Sequence, residues 1–497
     1  MKIKSILIAN RGEIAIRIAR TAKSMGIKTY MFLSHHEPNA LHIEHADEVI
    51  DVSDNTFINV YTNIDKLIEV ALENKIDAIH PGYGFLSENP YLPRECERNN
   101  IIFIGPSSKA INQMGNKGLA RNMAIKNKVP VLLGSKGVIS TLEEAERTSE
   151  EIGYPVMLKA VAGGGGKGMR VVRKKSELAL MYKLATNEAK SLFDNDAMLI
   201  EKFVENPRHV EFQVLADKKG NVVHLFEREC SIQRKHQKLL EEAPSSALTE
   251  ELRAKIGADA VRLCEATGYY SAGTVEFLLD KDLNHYFMEM NTRVQVEHPI
   301  TEEITGFDII EQQIKIAQGE AMDIKQEDIK INGWAIELRV NAEDVQSGFA
   351  PSTGLIEQMD IPNKKCLRVD SGYQVGKVVI SSFDSLVAKL IITGKNRSEA
   401  IKNCRSVLNS TTIKGVKTTL PFFKQVMRTP SFVKGNYNTS FIETDLEQSF
   451  YQEDDELVAA AALAMQAYLN EQEKINSDTL SDKSVSAWAM SKKIKGN

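Results

Sequence analysis

Four consecutive glycines at residues 163–166 lie between two β-like runs, at 156–159 and 169–172. Because glycine has no Cβ atom, successive backbone N–H groups of such a loop can point at one anion. A flexible hairpin loop is the alternative, but this much glycine costs folding entropy that a bound ligand would offset. Lys159 and Lys167 flank the run, and the Gly-Lys-Ser/Thr of a Walker loop does not follow it. The pattern predicts an anion-binding loop that joins two strands.

Size and composition place the chain among folded globular proteins. It has 497 residues, of which 42% are hydrophobic and 26% charged, and its mean hydropathy is -0.26. These values allow about three domains and exclude disordered, collagen-like and coiled-coil classes. The formal net charge of -5 offers no field of positive charge. We therefore expect no nucleic acid and no membrane as a partner.

The cysteines favour a reducing compartment. There are five, with no C-x-x-C pair, which argues against a disulfide framework and a zinc site. No apolar run approaches the roughly 20 residues that span a bilayer. Residues 1–10 are interpreted as a first strand rather than a signal sequence, because the apolar run stops at Asn10 and Arg11. We expect a cytoplasmic protein.

Alternating β-rich and helix-periodic segments predict a parallel sheet in about the first 115 residues. Residues 6–9 and 29–33 are β-rich, and residues 12–25 between them carry apolar side chains at helical spacing. Two further short runs, at 78–80 and 101–104, end in dipeptides of proline and glycine, which are turn formers. The pattern indicates a layer built from βαβ units.

The rest of the chain is expected to change character three times. The first segment is predicted as a lid, with a helix to residue 189 and strands at 156–159, 169–172 and 198–200. An antiparallel sheet is expected from about residue 210 to 290, followed by β-rich runs at 335–340 and 384–392. Beyond residue 450 we expect a helix at 457–469 and a polar linker near 477–484. The fold class is thus predicted as α/β and α+β, with a Rossmann-like parallel sheet first.

Two glutamates predict a metal site. Glu276 and Glu289 lie in separate strand-like segments whose alternation would put both carboxylates, with Asn291, on one face. Such oxygen ligands suit Mg²⁺ bound to phosphates. A solvated sheet face is the alternative for any one acid. Glu289, however, stands between Met288 and Met290, where an unpaired carboxylate is costly.

A two-residue rhythm continues through Asn291, Arg293, Gln295 and Glu297. It offers donors for a small oxyanion and a carboxylate able to act as a base. A surface ladder of polar residues is the alternative. Upstream, residues 229–242 add Gln233, His236 and Lys238, although that segment alone is more typical of an exposed helix or loop.

Together these strings resemble the biotin carboxylase family of the ATP-grasp superfamily, over about residues 1–446. The strings that carry the resemblance are Ile8-Ala-Asn-Arg-Gly-Glu-Ile-Ala15, His80-Pro-Gly-Tyr-Gly-Phe-Leu-Ser-Glu-Asn89, the glycine loop, Glu201-Lys-Phe-Val204, Pro207-Arg-His-Val-Glu211, Arg234-Lys-His-Gln-Lys238 and Glu289-Met-Asn-Thr-Arg-Val-Gln-Val-Glu-His-Pro299. The resemblance implies an N-terminal biotin carboxylase domain at 1–116, an ATP-grasp domain at 117–330 with a mobile lid at about 130–204, and a β-rich C-terminal biotin carboxylase domain at 331–446. A helical and polar tail at 447–497 is not covered.

The resemblance also implies roles for individual residues. ATP would be held by Lys117, Lys159, Gly163, Gly164, Gly165, Gly166, Glu201, Lys202, Phe203, Val204, His209, Gln233, His236, Glu276 and Glu289. Metal ions, Mg²⁺ or Mn²⁺, would be held by Glu276, Glu289 and Asn291. Bicarbonate and biotin would contact Lys238, Arg293, Gln295, Val296, Arg339 and Tyr83, and the catalytic set would be Arg293, Glu297, Lys238 and Arg339.

The implied reaction carboxylates biotin in two steps, through carboxyphosphate made from ATP and bicarbonate. Glu297 would deprotonate bicarbonate, and Arg339 would stabilise the enolate of biotin. Two rivals are another ATP-grasp ligase, joining an acyl phosphate to an amine, and a catalytically silent nucleotide-binding subunit. The 293–297 cluster with Arg339 argues against the first, and the full set of Lys117, Glu297 and Arg339 against the second.

No Ala-Met-Lys-Met biotin-attachment string occurs in the sequence. We therefore expect biotin on a separate biotin carboxyl carrier protein and a carboxyltransferase subunit as a further partner. The resemblance also implies a homodimer as the assembly. Acetyl-CoA, another acyl-CoA and pyruvate all stay open as the final acceptor. Two departures from the family pattern are Asn116, where Asp or Ser is usual, and Phe383, where an aromatic pair is common. We expect the first to affect phosphate affinity and the second to lie away from the chemistry.

Overall fold

The N-terminal segments form the predicted parallel sheet. The computed structural model describes residues 2–52, 60–161, 168–446 and 460–470. The first elements are β1 (Ser5–Ile8), α1 (Gly12–Ser24), β2 (Lys28–Leu33), β3 (Glu48–Asp51), α2 (Ile64–Glu73), β4 (Ala78–His80), α3 (Tyr91–Arg98), β5 (Ile102–Phe103) and α4 (Ser108–Gly115). The sheet has the strand order β3-β2-β1-β4-β5, and all its strands are parallel. Parallel neighbours need a crossover connection between them, which the intervening segments of the chain provide. Ile14 and Ile18 of α1 are buried in one core with Ile6 and Ile8 of β1.

A three-stranded sheet and its helices follow. The elements are α5 (Lys117–Lys126), α6 (Leu142–Ile152), β6 (Val156–Ala160), β7 (Met169–Val172), α7 (Lys175–Phe193) and β8 (Met198–Lys202). The strands are antiparallel, in the order β7-β6-β8, and Val156, Leu158 and Val172 pack against α7 through Leu178 and Ala185. This is the segment predicted as a lid. The glycine run, with Ala162 and Lys167, lies outside the described residues.

The next segments supply most of a large sheet. They are β9 (Arg208–Ala216), β10 (Val222–Arg234), β11 (Gln237–Ala243), α8 (Glu250–Thr267), β12 (Ser271–Leu279), β13 (His285–Asn291), α9 (His298–Thr305), α10 (Ile309–Gln318) and β14 (Trp334–Asn341). Residues 229–242, taken alone, favoured an exposed helix or loop, and that interpretation is wrong, because they form the β10–β11 hairpin with a largely buried sheet face.

Short strands and four helices complete the body of the protein. They are β15 (Glu343–Asp344), β16 (Ala350–Pro351), β17 (Gly354–Leu355), β18 (Gln358–Asp360), β19 (Leu367–Ser371), β20 (Val378–Val379), β21 (Leu386–Gly394), α11 (Arg397–Asn409), β22 (Thr412–Lys414), α12 (Leu420–Val426), α13 (Pro430–Lys434) and α14 (Phe441–Thr444). The large sheet has the order β13-β12-β9-β10-β11-β14-β21-β19 and is antiparallel. One sheet therefore continues across residue 330, where the sequence predicted a domain boundary.

The chain divides into two units, Met1–Leu446 and Glu447–Asn497. In the second unit residues 460–470 are helical, which agrees with that part of the helix predicted at 457–469. The linker predicted near residue 480 lies outside the described residues. Among the helices that the structure describes, none combines the length and the apolarity needed to cross a bilayer.

Candidate active site

The two predicted metal-binding glutamates face each other across neighbouring strands. Glu276 of β12 is the register partner of Glu289 of β13. Asn291, at the end of β13, donates its amide to Glu276 Oε1 at 2.7 Å. The alternation in the sequence therefore does bring these three oxygen-bearing side chains to one face of the sheet.

Glu276 is the most densely bonded of these acids. Its Oε2 lies 2.7 Å from Nε2 of His209 on β9, and its Oε1 also accepts from Lys238 at 3.1 Å and Gln295 at 3.0 Å. Burial alone would raise the pKa of the carboxyl, but the Lys238 ammonium and His209 outweigh it and hold the pKa of Glu276 well below its usual range. Glu276 is thus an anion at neutral pH.

Lys238 is held by three carboxylates. Besides Glu276, its Nζ donates to Glu297 Oε1 at 2.8 Å and forms an ion pair with Glu211 of β9. Glu211 was not among the predicted site residues, although it follows His209 by two positions and is the register partner of Glu276. Period-two alternation along β9 was therefore a signal that could have found it.

Arg228 fixes the far side of Glu211. Its guanidinium is fully buried and donates to Glu211 at 2.5 Å, to Gln213 at 2.7 Å, and to Thr301 and Thr274 at 3.0 and 3.1 Å. A guanidinium with this many acceptors is pre-organised, so Glu211 presents its second oxygen to Lys238 in one orientation.

Glu297 sits between two cations. Lys238 contacts one oxygen, and Arg339 Nη2 lies 2.9 Å from the other. These contacts exist because β11, which carries Lys238, pairs with β14, which carries Arg339. Burial raises the pKa of Glu297, but Lys238 and Arg339 together lower it well below the usual range. Glu297 is therefore in the unprotonated form that a general base needs, although the two cations that keep it ionised also weaken its basicity.

The segment from Arg293 to Glu297 is not a strand. β13 ends at Asn291, and Glu297 is the residue that precedes α9. The apparent strand rhythm therefore does not extend to Glu297, because the chain turns to start a helix. Arg293 nevertheless gathers the cluster, since it donates to Asn291 at 2.9 Å and Gln295 at 2.8 Å.

Two residues that were not among the predicted site residues contact the 293–297 segment. Glu88 accepts from Arg293 Nε at 2.9 Å, and Lys389 of β21 donates to the Val296 carbonyl at 2.7 Å. Glu88 lies in the 80–89 string that carried the family resemblance, so its position in that string was a usable signal. Lys389 carried no such signal, because its role depends on β21 pairing with β14.

The predicted phosphate lysines lie at the other side of the acidic pair. Lys117 Nζ is 3.5 Å from Glu289 Oε2, and Lys159 forms an ion pair with Glu201, which also faces Arg121 at 3.8 Å. Burial would raise the pKa of Glu201, but Lys159 outweighs it and lowers that pKa. Asn116 accepts from the Leu119 N–H at 3.0 Å and so caps α5, the helix that starts at Lys117.

Other predicted nucleotide residues surround this region. Lys202 donates to the carbonyls of Gly153 and Tyr154, both at 2.9 Å, and the Arg173 guanidinium lies 5.8 Å from the Phe203 ring centroid. Val204 is half-buried beside them. That Lys202, Phe203 and Val204 hold ATP stays a prediction.

His236 lies in the tight turn of the β10–β11 hairpin. Lys235 and His236 are the two turn residues and have φ of 49° and 64°, a left-handed conformation rarely adopted outside Gly, Asn and Asp. Gln233 is the register partner of Lys238 in the same hairpin. Desolvation, with the positive charges of Lys159 and Lys117, lowers the pKa of His236. The turn therefore brings His236 toward the phosphate lysines.

Tyr83 and Phe383 lie on the N-terminal side of the site. The Tyr83 hydroxyl donates to Glu13 Oε1 at 2.5 Å. The Arg11 guanidinium lies 4.3 Å from the ring centroid of Phe383, which also meets the Phe85 ring edge-on at 6.4 Å. Phe383 thus contacts the 8–15 and 80–89 strings rather than Glu297 or Arg339.

Three protein-family models match successive parts of the chain. The biotin carboxylase N-terminal domain matches residues 2–111, the carbamoyl-phosphate synthase L chain ATP-binding domain residues 116–325, and the biotin carboxylase C-terminal domain residues 337–444. Biotin carboxylase 1 of Bacillus subtilis is 48% identical over 89% of this chain and 98% of its own length. The 2-oxoglutarate carboxylase small subunit of Hydrogenobacter thermophilus is 47% identical over 88% of this chain and 93% of its own length.

A solved structure agrees with the fold. The biotin carboxylase domain dimer of the 2-oxoglutarate carboxylase of Hydrogenobacter thermophilus, crystallised with MgADP, ADP and bicarbonate, superimposes with a TM-score of 0.87 at 47% identity, covering 89% of this chain and 98% of that one. The predicted fold class is confirmed by this likeness. Both terminal biotin carboxylase domains match this chain, and it covers nearly the whole length of relatives that are 47% and 48% identical to it. The chain therefore belongs to the biotin carboxylase family.

Proposed function

We propose that this chain is the biotin carboxylase subunit of a multi-subunit carboxylase, an ATP-dependent ligase that joins bicarbonate to biotin. The observation that carries the proposal is the unbroken series of contacts from Lys238 through Glu297 to Arg339. It places one ionised carboxylate between two cations, beside the acidic pair Glu276 and Glu289. A base flanked by two anion-binding groups suits the activation of a small oxyanion.

The first step uses the cationic side chains. The bicarbonate oxygen attacks the γ-phosphorus of ATP, the bond from that phosphorus to the bridging oxygen breaks, and ADP leaves with carboxyphosphate formed. Arg293, Gln295 and the Val296 segment would hold bicarbonate, and Glu297 would accept its proton. Lys117 and Lys159 would offset the negative charge on the phosphates, which is the main obstacle to attack by an anion, and the neutral His236 would donate a hydrogen bond to them.

The second step uses Arg339. Carboxyphosphate breaks the bond between its carbon and the bridging oxygen, which gives CO₂ and phosphate. The phosphate takes the proton of the ureido nitrogen of biotin, and that nitrogen then forms the new bond to the carbon of CO₂. Negative charge develops on the ureido oxygen, where the Arg339 guanidinium would stabilise it. Tyr83, next to Glu13 on the N-terminal side, would border the entry of biotin. A closed lid would exclude water from carboxyphosphate.

The acidic pair fits a hard divalent cation. Glu276, Glu289 and the amide oxygen of Asn291 share one sheet face, and carboxylate and amide oxygens are the donors that Mg²⁺ and Mn²⁺ accept. These three residues would hold the ion, which supplies charge neutralisation of the ATP phosphates when bound. His209 and Lys238 orient Glu276 for that role.

The proposal includes partners. A biotin carboxyl carrier protein would deliver biotin, and a carboxyltransferase subunit would use the product, as the words small subunit in the name of the 2-oxoglutarate carboxylase relative suggest. The dimer named for the structural relative supports a homodimer, and a cytoplasmic location is a further part of the proposal. The acceptor stays open among acetyl-CoA, another acyl-CoA, pyruvate and 2-oxoglutarate. We keep the division at 1–116, 117–330, 331–446 and 447–497 as part of the proposal.

The test is ADP release by the purified chain. It should require ATP, Mg²⁺, bicarbonate and free biotin together, and chelation of the metal should abolish it. Glu289→Gln should lower turnover by orders of magnitude with the fold intact, whereas Glu327→Gln, the same change at an exposed position, should not. ADP release that ignores bicarbonate and biotin would contradict the proposal.

A further inference from the structure

Two buried glutamates that the reaction above does not use lie directly opposite each other. Glu241 of β11 and Glu337 of β14 are register partners, and both side chains are fully buried. Directly opposed residues of antiparallel strands have Cβ atoms about 4.5–5.5 Å apart, and two like charges at that separation destabilise a sheet. Some group must therefore compensate the second charge.

Two cations, Arg339 and Lys389, lie near the pair, and both contact other groups. Arg339 Nη2 contacts both Glu241 and Glu297, so one nitrogen serves two carboxylates. Lys389, the register partner of Arg339, gives its ammonium to the Val296 carbonyl and to Glu13 at 3.1 Å. Asp370, opposite Lys389 on β19, adds a further negative charge. Within the described residues, neither cation forms a hydrogen bond with Glu337, and Arg339 Nε has no hydrogen-bond partner either.

The Glu337 carboxyl is buried without a hydrogen bond among the described residues. Within that part of the chain, neither of its oxygens has a hydrogen-bond partner, although the side chain is fully buried. A buried carboxylate without a partner is costly, whereas the protonated acid is tolerated and can donate to a neighbouring carboxylate.

We propose that Glu241 and Glu337 share one proton and that this carboxyl pair is a positioning unit for Arg339. With one proton bound, the pair carries a single negative charge, which Arg339 balances while it keeps its contact with Glu297. Loss of the proton would add a second charge and draw the guanidinium away from the substrate side. The inference rests on the proposed function for its effect on catalysis, but not for the proton itself.

The groups that face the pair support this arrangement. Burial, which is the largest effect, and the neighbouring Glu297 raise the pKa of Glu241 to about 7, although Arg339 and Lys238 act in the opposite direction. Burial and the neighbouring Glu241 raise the pKa of Glu337, although Lys389 and Arg339 act against them. Two coupled carboxyls of this kind release their protons in two separate steps.

Infrared spectroscopy of the full chain without substrates tests the shared proton directly. The wild type should show a protonated-carboxyl band at neutral pH, and that band should disappear in Glu337→Gln and equally in Glu241→Gln. In Glu337→Gln the Arg339 guanidinium stays on Glu241, and in Glu241→Gln it is released from Glu241 and can pair with Glu337, so we expect the remaining acid to ionise in each variant. Glu327→Gln, at an exposed position, should keep the band. Persistence of the band in Glu241→Gln would show an isolated buried acid and overturn the proposal, as would its absence from the wild type.

Turnover against pH tests the positioning role. The glutamine of Glu337→Gln is neutral, like the protonated acid that it replaces. We therefore expect the turnover of this variant at neutral pH to lie within about threefold of the wild type, and its loss of turnover at alkaline pH to occur at a higher pH. Glu241→Gln moves the negative charge of the pair to Glu337 and so draws Arg339 away from Glu297, and we expect at least about a tenfold loss of turnover with ATP affinity retained. Equal losses in the two variants would overturn the positioning role. A wild type that does not carboxylate biotin would contradict the proposed function and leave the infrared result standing.

Discussion

The ammonium of Lys238, on β11 of the large antiparallel sheet, lies 2.8 Å from Oε1 of Glu297, the residue that precedes α9. Because Arg339 holds the other oxygen, Glu297 stays ionised at neutral pH, with its pKa lowered by two neighbouring cations. The same cations would bind an oxyanion. The base and the anion-binding groups of the proposed reaction are thus one connected set.

Replacing the base tests this connection. Glu297→Gln keeps the shape of the side chain and removes its ability to accept a proton, so we expect biotin carboxylation to fall by about 10²–10⁴. The affinity for MgATP should change by less than about threefold, because the described contacts of the Glu297 carboxylate are with Lys238 and Arg339. Turnover and equilibrium binding of ATP measure the two effects. A variant that keeps near-normal turnover would exclude Glu297 as the base.

A second pair of variants separates binding from chemistry. Arg339 contacts Glu297 and Glu241, whereas Lys159 contacts Glu201 on the nucleotide side. Arg339→Ala should therefore spare ATP affinity and lower carboxylation by at least about a hundredfold, while Lys159→Ala should weaken ATP binding by about tenfold or more. Titration with ATP and steady-state kinetics give the comparison. Equal losses of ATP affinity in both variants would contradict these assignments.

Much of this site was visible in the sequence, for a physical reason. Residues on the same face of a strand repeat every two positions, so Glu276, Glu289 and Asn291 could be grouped from their spacing. The same rule failed at Glu297, because the chain leaves β13 at Asn291 and turns into α9.

What the sequence did not show depends on pairing between distant strands. Glu241, Glu337 and Lys389 meet because β11 pairs with β14 and β14 with β21. No local pattern states which strands are neighbours, and in the sequence these residues look like ordinary charged positions. The parallel sheet at the start was predictable because βαβ units join strands that are close in the chain.

Arg228 provides a stability prediction. Its guanidinium is fully buried and pairs with Glu211. Arg228→Met removes one partner and leaves a buried carboxylate, so we expect the free energy of unfolding to fall by about 3–5 kcal/mol. Arg173→Met breaks an exposed pair with Glu205 and should cost less than about 1 kcal/mol. Denaturant unfolding of both variants measures the difference. Similar small losses would mean that Glu211 is held by other groups.

His80 gives a pH dependence of stability. It is fully buried, the Gly82 N–H donates to its Nδ1 at 3.0 Å, and burial lowers its pKa from 6.5 to about 3. Below about pH 6.5 the unfolded chain therefore binds a proton at this residue that the folded chain does not. Stability should fall as the pH decreases from 6.5 toward 3, by up to about 1.4 kcal/mol per pH unit from this residue.

The matched variants are His80→Gln and His35→Gln. The first removes a buried imidazole, so its unfolding free energy should depend less steeply on pH over this range than that of the wild type. The second removes a histidine that is not buried and should leave the slope unchanged. Unfolding curves at several pH values give the dependence of the unfolding free energy on pH. An equal dependence in the wild type and His80→Gln would contradict the claim that His80 is buried and neutral in the folded protein.

Transfer of labelled bicarbonate to biotin is the most direct measurement. The purified chain, with ATP, Mg²⁺, radiolabelled bicarbonate and biotin, should form acid-labile carboxybiotin, with one ADP released for each labelled carboxyl group. Glu297→Gln should form almost none under the same conditions, and Glu327→Gln should match the wild type. ADP release by the wild type with no label on biotin would contradict the assignment of this chain as a biotin carboxylase.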